Sequence, residues 1–190
     1  MRKFAISIIL LFVFSCSQTK EKSPEAAMLD KERQSVFKNL LSNKIVDDNF
    51  KTLNYFDWDS NFIVSATIEL LKPEKIYFAT NTDRKPEYFK VAKLNFVLNE
   101  TACSLIVYAT EEFNSQALFI PFKDKTNNKE TYGAGRYIEM KGDLTQAKLT
   151  LDFNRAFNPY CHYNDKYSCP IVPIENKLNV SVFAGEKKLY

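Results

Sequence analysis

Two neighbouring segments, FKVAKLNFVL (residues 89–98) and ACSLIVYA (residues 102–109), are short and apolar, with many β-branched and aromatic residues. This composition favours strands over helices. Three other runs have the same character: FIVSATIEL (62–70), KIYFAT (75–80) and ALFIPF (117–122). The middle of the chain is therefore predicted to form a β-structure.

Further along the chain, apolar residues alternate with polar ones in residues 147–153 and again in residues 177–182. Strict alternation gives each strand one apolar and one polar face, as in an antiparallel sheet with one wet side. The segments RYIEM (136–140) and QAKLTLDF (146–153) flank Gly142 and predict a hairpin. The sequence predicts a mainly β fold, an antiparallel β-barrel or sandwich of about eight strands preceded by one N-terminal helix.

The N-terminus has the features of an export signal, with Arg2 and Lys3 followed by an apolar run over residues 4–14. Residues 1–15 are predicted to be a lipoprotein signal peptide, because VFSC (13–16) resembles a lipobox and Cys16 would carry the lipid. An ordinary signal peptide cut nearby is the alternative. We expect the protein to be exported and held on the bacterial cell envelope, at the periplasmic face or cell surface, by lipid on Cys16.

The rest of the chain divides into a tether (16–23), an N-terminal helix and linker (24–49) and a β-domain (50–190). Ser23 and Pro24 have the residue types of an N-cap and a first helical position. The predicted apolar stripe of this helix consists of Leu29, Val36, Phe37, Leu40 and Leu41.

The charge balance argues against a nucleic-acid partner. Loss of Arg2 and Lys3 with the signal peptide lowers the basic residues from 26 to 24, against 23 acidic residues. A nearly neutral domain offers no basic surface for a phosphate backbone. No cofactor is predicted.

The segment ETYGAGRY (130–137) holds two of the four glycines, Gly133 and Gly135, directly before Arg136. Glycines permit close backbone approach, so their amides and the Arg136 guanidinium could bind an anion. The alternative is a β-bulge in which Arg136 pairs with Asp124 or Glu130.

The segment DFNRAFNPYCHYNDKYSCPIVPIEN (152–176) is dense in polar side chains. Asp152, Asn154 and Asn158 suggest calcium, but the spacing departs from the EF-hand pattern and is more typical of turns. No metal site is predicted.

Cys161, His162 and Cys169 allow a disulfide, a metal site or free thiols. A disulfide between Cys161 and Cys169 is favoured in an oxidising envelope and would contribute about 2.5 kcal/mol in the chain-entropy model. Cys103, inside an apolar run, is expected to be a buried small residue.

Long stretches of the chain resemble a known family. YFDWDSNFIVSATI (55–68), FIPFKDKTNNKETYGAGRYIEM (119–140) and DFNRAFNPYCHYNDKYSCPIVPIENKLNVSVFAGEKKL (152–189) resemble the bacterial and archaeal family known as domain of unknown function 1684. The resemblance covers roughly residues 50–188 and implies no activity. It implies an exported lipoprotein, as many members are. In the family pattern a small residue often follows the first cysteine, so His162 looks like a local variation.

The function predicted from these features is binding of a small polar or anionic ligand, with Arg136 as its clamp. One alternative is a carboxylate-dependent hydrolase acting on an envelope metabolite or glycan, using Asp124 with Glu130 or Asp152 with Glu175. The other is a structural or interaction scaffold; an enzyme is not favoured. The predicted ligand-binding residues are Asp124, Glu130, Tyr132, Gly133, Gly135, Arg136, Asp152, Asn154, Asn158 and Glu175.

Overall fold

The computed structural model describes residues 22–110 and 117–189. One α-helix, α1 (Pro24–Ser42), precedes six antiparallel strands in the described part of the chain, which also has short 3₁₀ helices. The strands form one curled half-barrel sheet of order β5-β4-β3-β2-β1-β6. They are β1 (Ile63–Tyr77), β2 (Glu87–Leu98), β3 (Thr101–Ala109), β4 (Ala117–Phe122), β5 (Arg136–Lys141) and β6 (Lys148–Asp152).

The strand number is six rather than eight for two reasons. First, the two segments predicted at 62–70 and 75–80 are largely one strand, β1, whose register against β2 shifts between Leu70 and Glu74. Pro73 lies in this irregularity, where a residue without an N–H does not interrupt regular pairing. A proline that reads as a break in the sequence is therefore a bulge within a continuous strand.

Second, residues 177–182 are extended but do not join the sheet. The Leu178 amide donates to the Lys123 carbonyl (2.8 Å) and the Lys125 amide to the Val180 carbonyl (2.9 Å), so pairing is short and local. Leu178, Val180 and Val182 are buried in the main core. The alternating pattern therefore predicted the buried face correctly but not the pairing.

The predicted hairpin around Gly142 is wrong. Strand β5 pairs with β4 and β6 pairs with β1, so the two strands lie at opposite edges of the sheet. Residues 142–147 nevertheless connect them, and six residues reach roughly 20 Å at most. The curl of the sheet must therefore bring its two edges close together.

Both faces of the sheet are covered where β3, β4 and β5 meet. Leu105 and Val107 of β3 point into the main core, whereas Ile106 and Tyr108 belong to a second cluster with Phe119, Tyr137 and Val172. Burial on both faces explains why the sequence is apolar almost without interruption here.

Helix α1 begins as the sequence predicts, with the Ser23 hydroxyl accepting a hydrogen bond from the Ala26 amide (3.2 Å). Its buried residues are Ala26, Leu29 and Leu40, whereas Val36 is exposed. Leu40 packs with residues that follow the helix and with Tyr163 and Tyr167. The helix therefore rests on the β-domain rather than projecting from it.

The predicted signal peptide, residues 1–15, and the lipidation residue Cys16 lie outside the described residues, as does most of the tether. No helix in the described part of the chain is both long and apolar enough to cross a bilayer.

Candidate functional site

Arg136, the predicted ligand clamp, is completely buried at the start of β5. Its Nη2 donates to the Asp124 carboxylate (2.9 Å) and to the Val182 carbonyl (3.0 Å). Its Nη1 donates to the carbonyls of Ala184 and Glu186. These four hydrogen bonds use the two terminal nitrogens, whereas Arg136 Nε is buried without a hydrogen-bond partner among the described residues. Because the side chain is completely buried, no ligand reaches Arg136 in this conformation.

The partner carboxylate is equally enclosed. Asp124 Oδ1 accepts from the Thr126 amide (2.8 Å), the Thr126 hydroxyl (2.6 Å) and the Val182 amide (3.1 Å). The Thr126 hydroxyl in turn bonds to that of Thr131 (2.8 Å). The Arg136–Asp124 pair therefore joins β5, the loop after β4 and the C-terminal segment. Pairing of Arg136 with Asp124 was the alternative that the sequence analysis gave to ligand binding by Arg136. We call Asp124, Thr126, Thr131, Arg136 and Glu186, whose carbonyl also accepts from Arg136, the closed cluster.

Glu186 extends this buried network beyond the residues singled out from the sequence. It is 1% exposed, and its carboxylate accepts from the Asn158 amide (2.8 Å) and the Tyr163 hydroxyl. Burial raises the pKa of Glu186 to about 7, against the opposing effect of these hydrogen bonds and of Arg136. Asn158 also donates through Nδ2 to the Lys187 carbonyl (2.8 Å), so it fastens the C-terminal segment.

The two glycines of ETYGAGRY differ in what they do. Gly135 has φ +104°, and a Cβ there would lie 2.7 Å from the Phe122 carbonyl oxygen. Gly133 has no positive φ, and its Cβ would meet only the side chain of exposed Asn128. Gly135 therefore permits the close strand approach that places Arg136, and its amide donates to the Tyr132 carbonyl (3.1 Å).

The remaining predicted site residues are dispersed. Asp152 caps the turn that begins at Phe153, accepting from the Asn154 amide (2.9 Å). Asn154 is buried and bonds to the backbone of Asp59 through both ends of its amide. These are turn contacts, and within residues 22–110 and 117–189 no group of three or more His, Cys, Asp or Glu could hold a metal ion.

Glu175 and Glu130 do not join the closed cluster. Glu175 pairs with Lys90 (3.0 Å) and accepts from the Tyr108 hydroxyl (3.2 Å). Glu130 is exposed, whereas Asp124, its predicted partner in acid–base chemistry, is buried. Among the described residues, neither pair of carboxylates proposed for hydrolysis shares a side-chain hydrogen-bond donor.

Cys161 and Cys169 are neighbours, and both have free thiols. Cys103, elsewhere in the fold, is also a free thiol; it is half-buried, whereas the sequence predicted that it is buried. The Cys161 amide donates to Cys169 Sγ (3.1 Å). The disulfide stays a prediction, and the closeness of the two residues is compatible with it. Tyr132 lies beside this pair, with its ring 4.4 Å from that of His162.

A separate concave site lies between α1 and the segment after β6. We call it the α1 cleft; its volume is about 330 Å³. Its apolar lining comes from Leu29, Val36, Leu40, Ala156 and Phe157, and its polar lining from Glu32, Arg33, Asn39, Tyr55, Glu139, Asn154, Arg155 and Tyr160.

Arg33 is the cation of the cleft that the protein satisfies least. Its side chain is 12% exposed, and its nearest carboxylate, Asp30, is 3.7 Å away. Its terminal nitrogens make long hydrogen bonds of 3.3 Å to the carbonyls of Phe56 and Asn154. Its Nε is buried without a hydrogen-bond partner among the described residues, and its guanidinium lies 4.2 Å from the centre of the Tyr55 ring.

The other charged groups of the cleft are arranged differently. Arg155 is paired with Glu32 and lies 3.4 Å from Asp152, so its charge is largely neutralised. Glu139, on β5, lies at the exposed rim, and partial burial raises its pKa. Arg33 therefore remains the cation of the cleft with an unused donor. Desolvation lowers its pKa, while the charges of Asp30, Asp57 and Asp152 favour its charged form without reaching its Nε.

Sequence reasoning missed Arg33 and Glu139 because both look like ordinary polar residues of a helix and a strand. Arg33 falls four residues after Leu29 of the apolar stripe, which was the available signal that it faces the domain. Glu186 lies within residues 152–189, which carry the family resemblance, but nothing in that stretch of sequence indicates that its carboxylate is buried.

Comparison with known proteins agrees with the resemblance noted in the sequence. The family model described as "Protein of unknown function (DUF1684)" matches residues 48–187. A solution NMR structure of an uncharacterized protein from Haloarcula marismortui is similar, with a TM-score of 0.68 and 33% sequence identity. The similarity covers 86% of this chain and 96% of that one. No curated protein matches with significant similarity. The chain belongs to the DUF1684 family.

Proposed function

We propose that this protein is an exported, lipid-anchored binding domain whose α1 cleft holds a small amphipathic molecule with an acidic group. The observation that carries the proposal is the state of Arg33. A mostly buried cation with an unpartnered Nε–H and a carboxylate no closer than 3.7 Å attracts an anion that brings acceptor oxygens. The proposed ligand is still anionic, as the sequence predicted, but the residue proposed to bind its charge is Arg33 and not Arg136.

The shape and lining of the cleft support a small molecule. Its volume of about 330 Å³ lies at the lower end of the range for ligand pockets. Leu29, Val36 and Phe157 supply apolar surface for the body of the ligand. Apolar walls with a few polar groups are typical of sites that orient a ligand by one charged end.

Glu139 at the rim adds a requirement on the ligand. As an ionised carboxylate, Glu139 makes the close approach of a second anion at the rim unfavourable. A single acidic group directed toward Arg33, with the neutral end of the molecule outward, suits both charges. The proposed ligand is therefore a monoanion with an apolar body.

A hydrolase is less well supported. Acid–base hydrolysis by two carboxylates needs both of them at one open site. Asp124 is buried on Arg136, Glu175 is paired with Lys90, and Glu32 of the cleft is paired with Arg155. Glu139 therefore has no second unpaired carboxylate beside it in the described lining of the cleft, and acid–base hydrolysis needs two.

Binding is tested with matched probes that differ in charge. Isothermal titration of the purified protein with octanoate and with 1-octanol should show saturable binding of the carboxylate and at least about tenfold weaker binding of the alcohol, because a charge-assisted hydrogen bond contributes about 1.5–3 kcal/mol. Arg33→Gln should reduce octanoate affinity by a similar factor. Native mass spectrometry of the same protein would reveal a retained natural ligand.

Lys31→Gln is the matched control, since Lys31 lies on the same helix, is exposed and does not line the cleft. If both variants lost octanoate affinity equally, the loss would come from the general reduction of positive charge, which would contradict a specific site at Arg33. Absence of both octanoate binding and a retained molecule would refute the proposal.

Anchoring is tested separately. Cys16→Ser should move the protein from the membrane fraction to the soluble fraction of cells, with loss of metabolic labelling by palmitate. Retention of label in the variant would rule out Cys16 as the acylated residue.

A further inference from the structure

Cys161 and Cys169 lie together in a setting that treats the two sulfurs unequally. Cys161 belongs to the short 3₁₀ helix Tyr160–His162 and is partly exposed, whereas Cys169 is 8% exposed. The Cys161 amide donates to Cys169 Sγ, and the Asn81 side chain holds the Cys169 amide (2.7 Å). Cys161 is therefore the more exposed residue of the two, and the backbone on both sides of the pair is held by hydrogen bonds.

The local contacts also favour negative charge on one sulfur. Hydrogen bonding from Cys161 lowers the pKa of Cys169 to about 7, against the effect of burial. The same interaction with Cys169, together with burial, raises the pKa of Cys161. A thiolate held by backbone donors is a good leaving group in thiol–disulfide exchange.

We propose that Cys161 and Cys169 form a dithiol–disulfide couple that exchanges with partner thiols through Cys161, with Cys169 as the leaving and resolving sulfur. The partner is a molecule of the dithiol class, and its disulfide form serves as the oxidant. This goes beyond a structural disulfide, because a purely structural bond needs neither an accessible sulfur nor a stabilised thiolate.

In the reducing direction, one thiolate of the partner attacks Cys161 Sγ, and the Cys161–Cys169 bond breaks with its electron pair going to Cys169. The second thiol of the partner loses its proton and attacks the partner sulfur of the mixed disulfide. Cys161 leaves as a thiolate and takes up a proton, and the partner departs as a disulfide. Two electrons pass from the partner to the protein, and the reverse sequence oxidises the pair.

The loop between the cysteines connects this couple to the rest of the fold. Tyr163 donates to the buried Glu186, and Asn164 Nδ2 donates to the Ile45 carbonyl (3.2 Å) just after α1. Tyr160, directly before Cys161, lines the α1 cleft. Exchange at Cys161 therefore takes place on a segment that contacts both the closed cluster and the helix.

The test uses the purified protein in buffers of defined reduced and oxidised glutathione, with peptide mass mapping after acid quenching. Wild type should convert reversibly between the dithiol and a Cys161–Cys169 disulfide. Cys169→Ser should accumulate glutathione at Cys161, because the resolving sulfur is gone. In Cys161→Ser, glutathione should modify Cys169 at least roughly tenfold more slowly than it modifies Cys161 in Cys169→Ser, because Cys169 is buried.

Cys103 in the same digests serves as an internal reference for general thiol reactivity, and circular dichroism establishes that both variants are folded. Equal modification of the two cysteines in the folded variants would overturn the assigned direction of attack. A wild-type pair that stays in one state across the buffers would overturn the couple itself.

Discussion

The closed cluster and the α1 cleft each contain a buried arginine, and they differ in how far the protein itself satisfies the guanidinium. Arg136 meets a carboxylate at 2.9 Å and three carbonyls, whereas Arg33 has two bonds of 3.3 Å and a carboxylate 3.7 Å away. The motif that looked functional in the sequence is therefore structural. The Nε of each arginine lacks a hydrogen-bond partner among the described residues, but of the two only Arg33 borders the α1 cleft, where a ligand can reach it.

The difference has a physical basis. A buried charge costs several kcal/mol of desolvation unless partners replace water. Arg136 recovers this cost inside the fold, and its position is fixed by β5 and Gly135. Arg33 sits at the edge of a cavity, where an incoming anion could supply what the protein does not.

Breaking the closed cluster should have the largest effect. Arg136→Met would leave Asp124 buried without its cation, and loss of one partner of a buried pair destabilises by about 3–5 kcal/mol. Urea unfolding of wild type and variant measures the change. Arg33→Met is the control and should lose less than about 1 kcal/mol; equal losses would erase the distinction between the two arginines.

The pH dependence of the closed cluster comes next. Glu186 has a folded pKa of about 7, above its ordinary value of 4.5, so between these pH values the folded state holds a proton that the unfolded state releases. Its contribution to stability is therefore lost as pH rises through this window, by roughly 3 kcal/mol in total. Glu186→Gln should remove this loss.

The comparison must be made as a difference between variant and wild type at each pH. His162, whose pKa burial lowers to about 4, acts in the opposite sense: the unfolded state takes up its proton first as pH falls, so stability rises from pH 4 to its ordinary pKa of 6.5. The stability of Glu186→Gln relative to wild type should grow from pH 4.5 to pH 7. A constant difference would show that Glu186 is charged throughout.

The glycines offer a smaller and more local test. Gly135→Ala should destabilise by about 2 kcal/mol, because φ +104° and the nearby Phe122 carbonyl both oppose a side chain. Gly133→Ala should cost about half of that or less, since exposed Asn128 can move aside. Thermal unfolding of the two variants in parallel checks the order, and a reversed order would mean that Gly133 carries the tight approach.

The smallest effect on stability is expected at the cleft. Arg33→Gln should change the free energy of unfolding by under about 1 kcal/mol while weakening octanoate binding at least about tenfold. Denaturant unfolding and titration of the same preparation separate the two quantities. A large loss of stability with unchanged octanoate binding would show that Arg33 has a structural role, as Arg136 does.

Local patterns in the sequence predicted much of the fold. Composition predicted the β class, the N-cap at Ser23 is confirmed, and alternation in residues 177–182 identified a face that is buried. Strand pairing was harder to predict: the runs on either side of Pro73 form one strand with a bulge, and the segments flanking Gly142 belong to opposite edges of the sheet. Which face of a strand is buried follows from the alternation of neighbouring residues, whereas the strand with which it pairs depends on residues far away in the sequence.

Local residue patterns were enough to indicate the mainly β class, the start of α1, the family and the short loop between Cys161 and Cys169. The enclosure of Arg136 with Asp124 and the position of Arg33 beside a cleft emerge only from the folded chain. Burial and charge compensation depend on groups that are far apart in the sequence, so no local pattern reveals them. Arg136 binds carbonyls 46, 48 and 50 residues away, and Arg33 bonds to Asn154, 121 residues away.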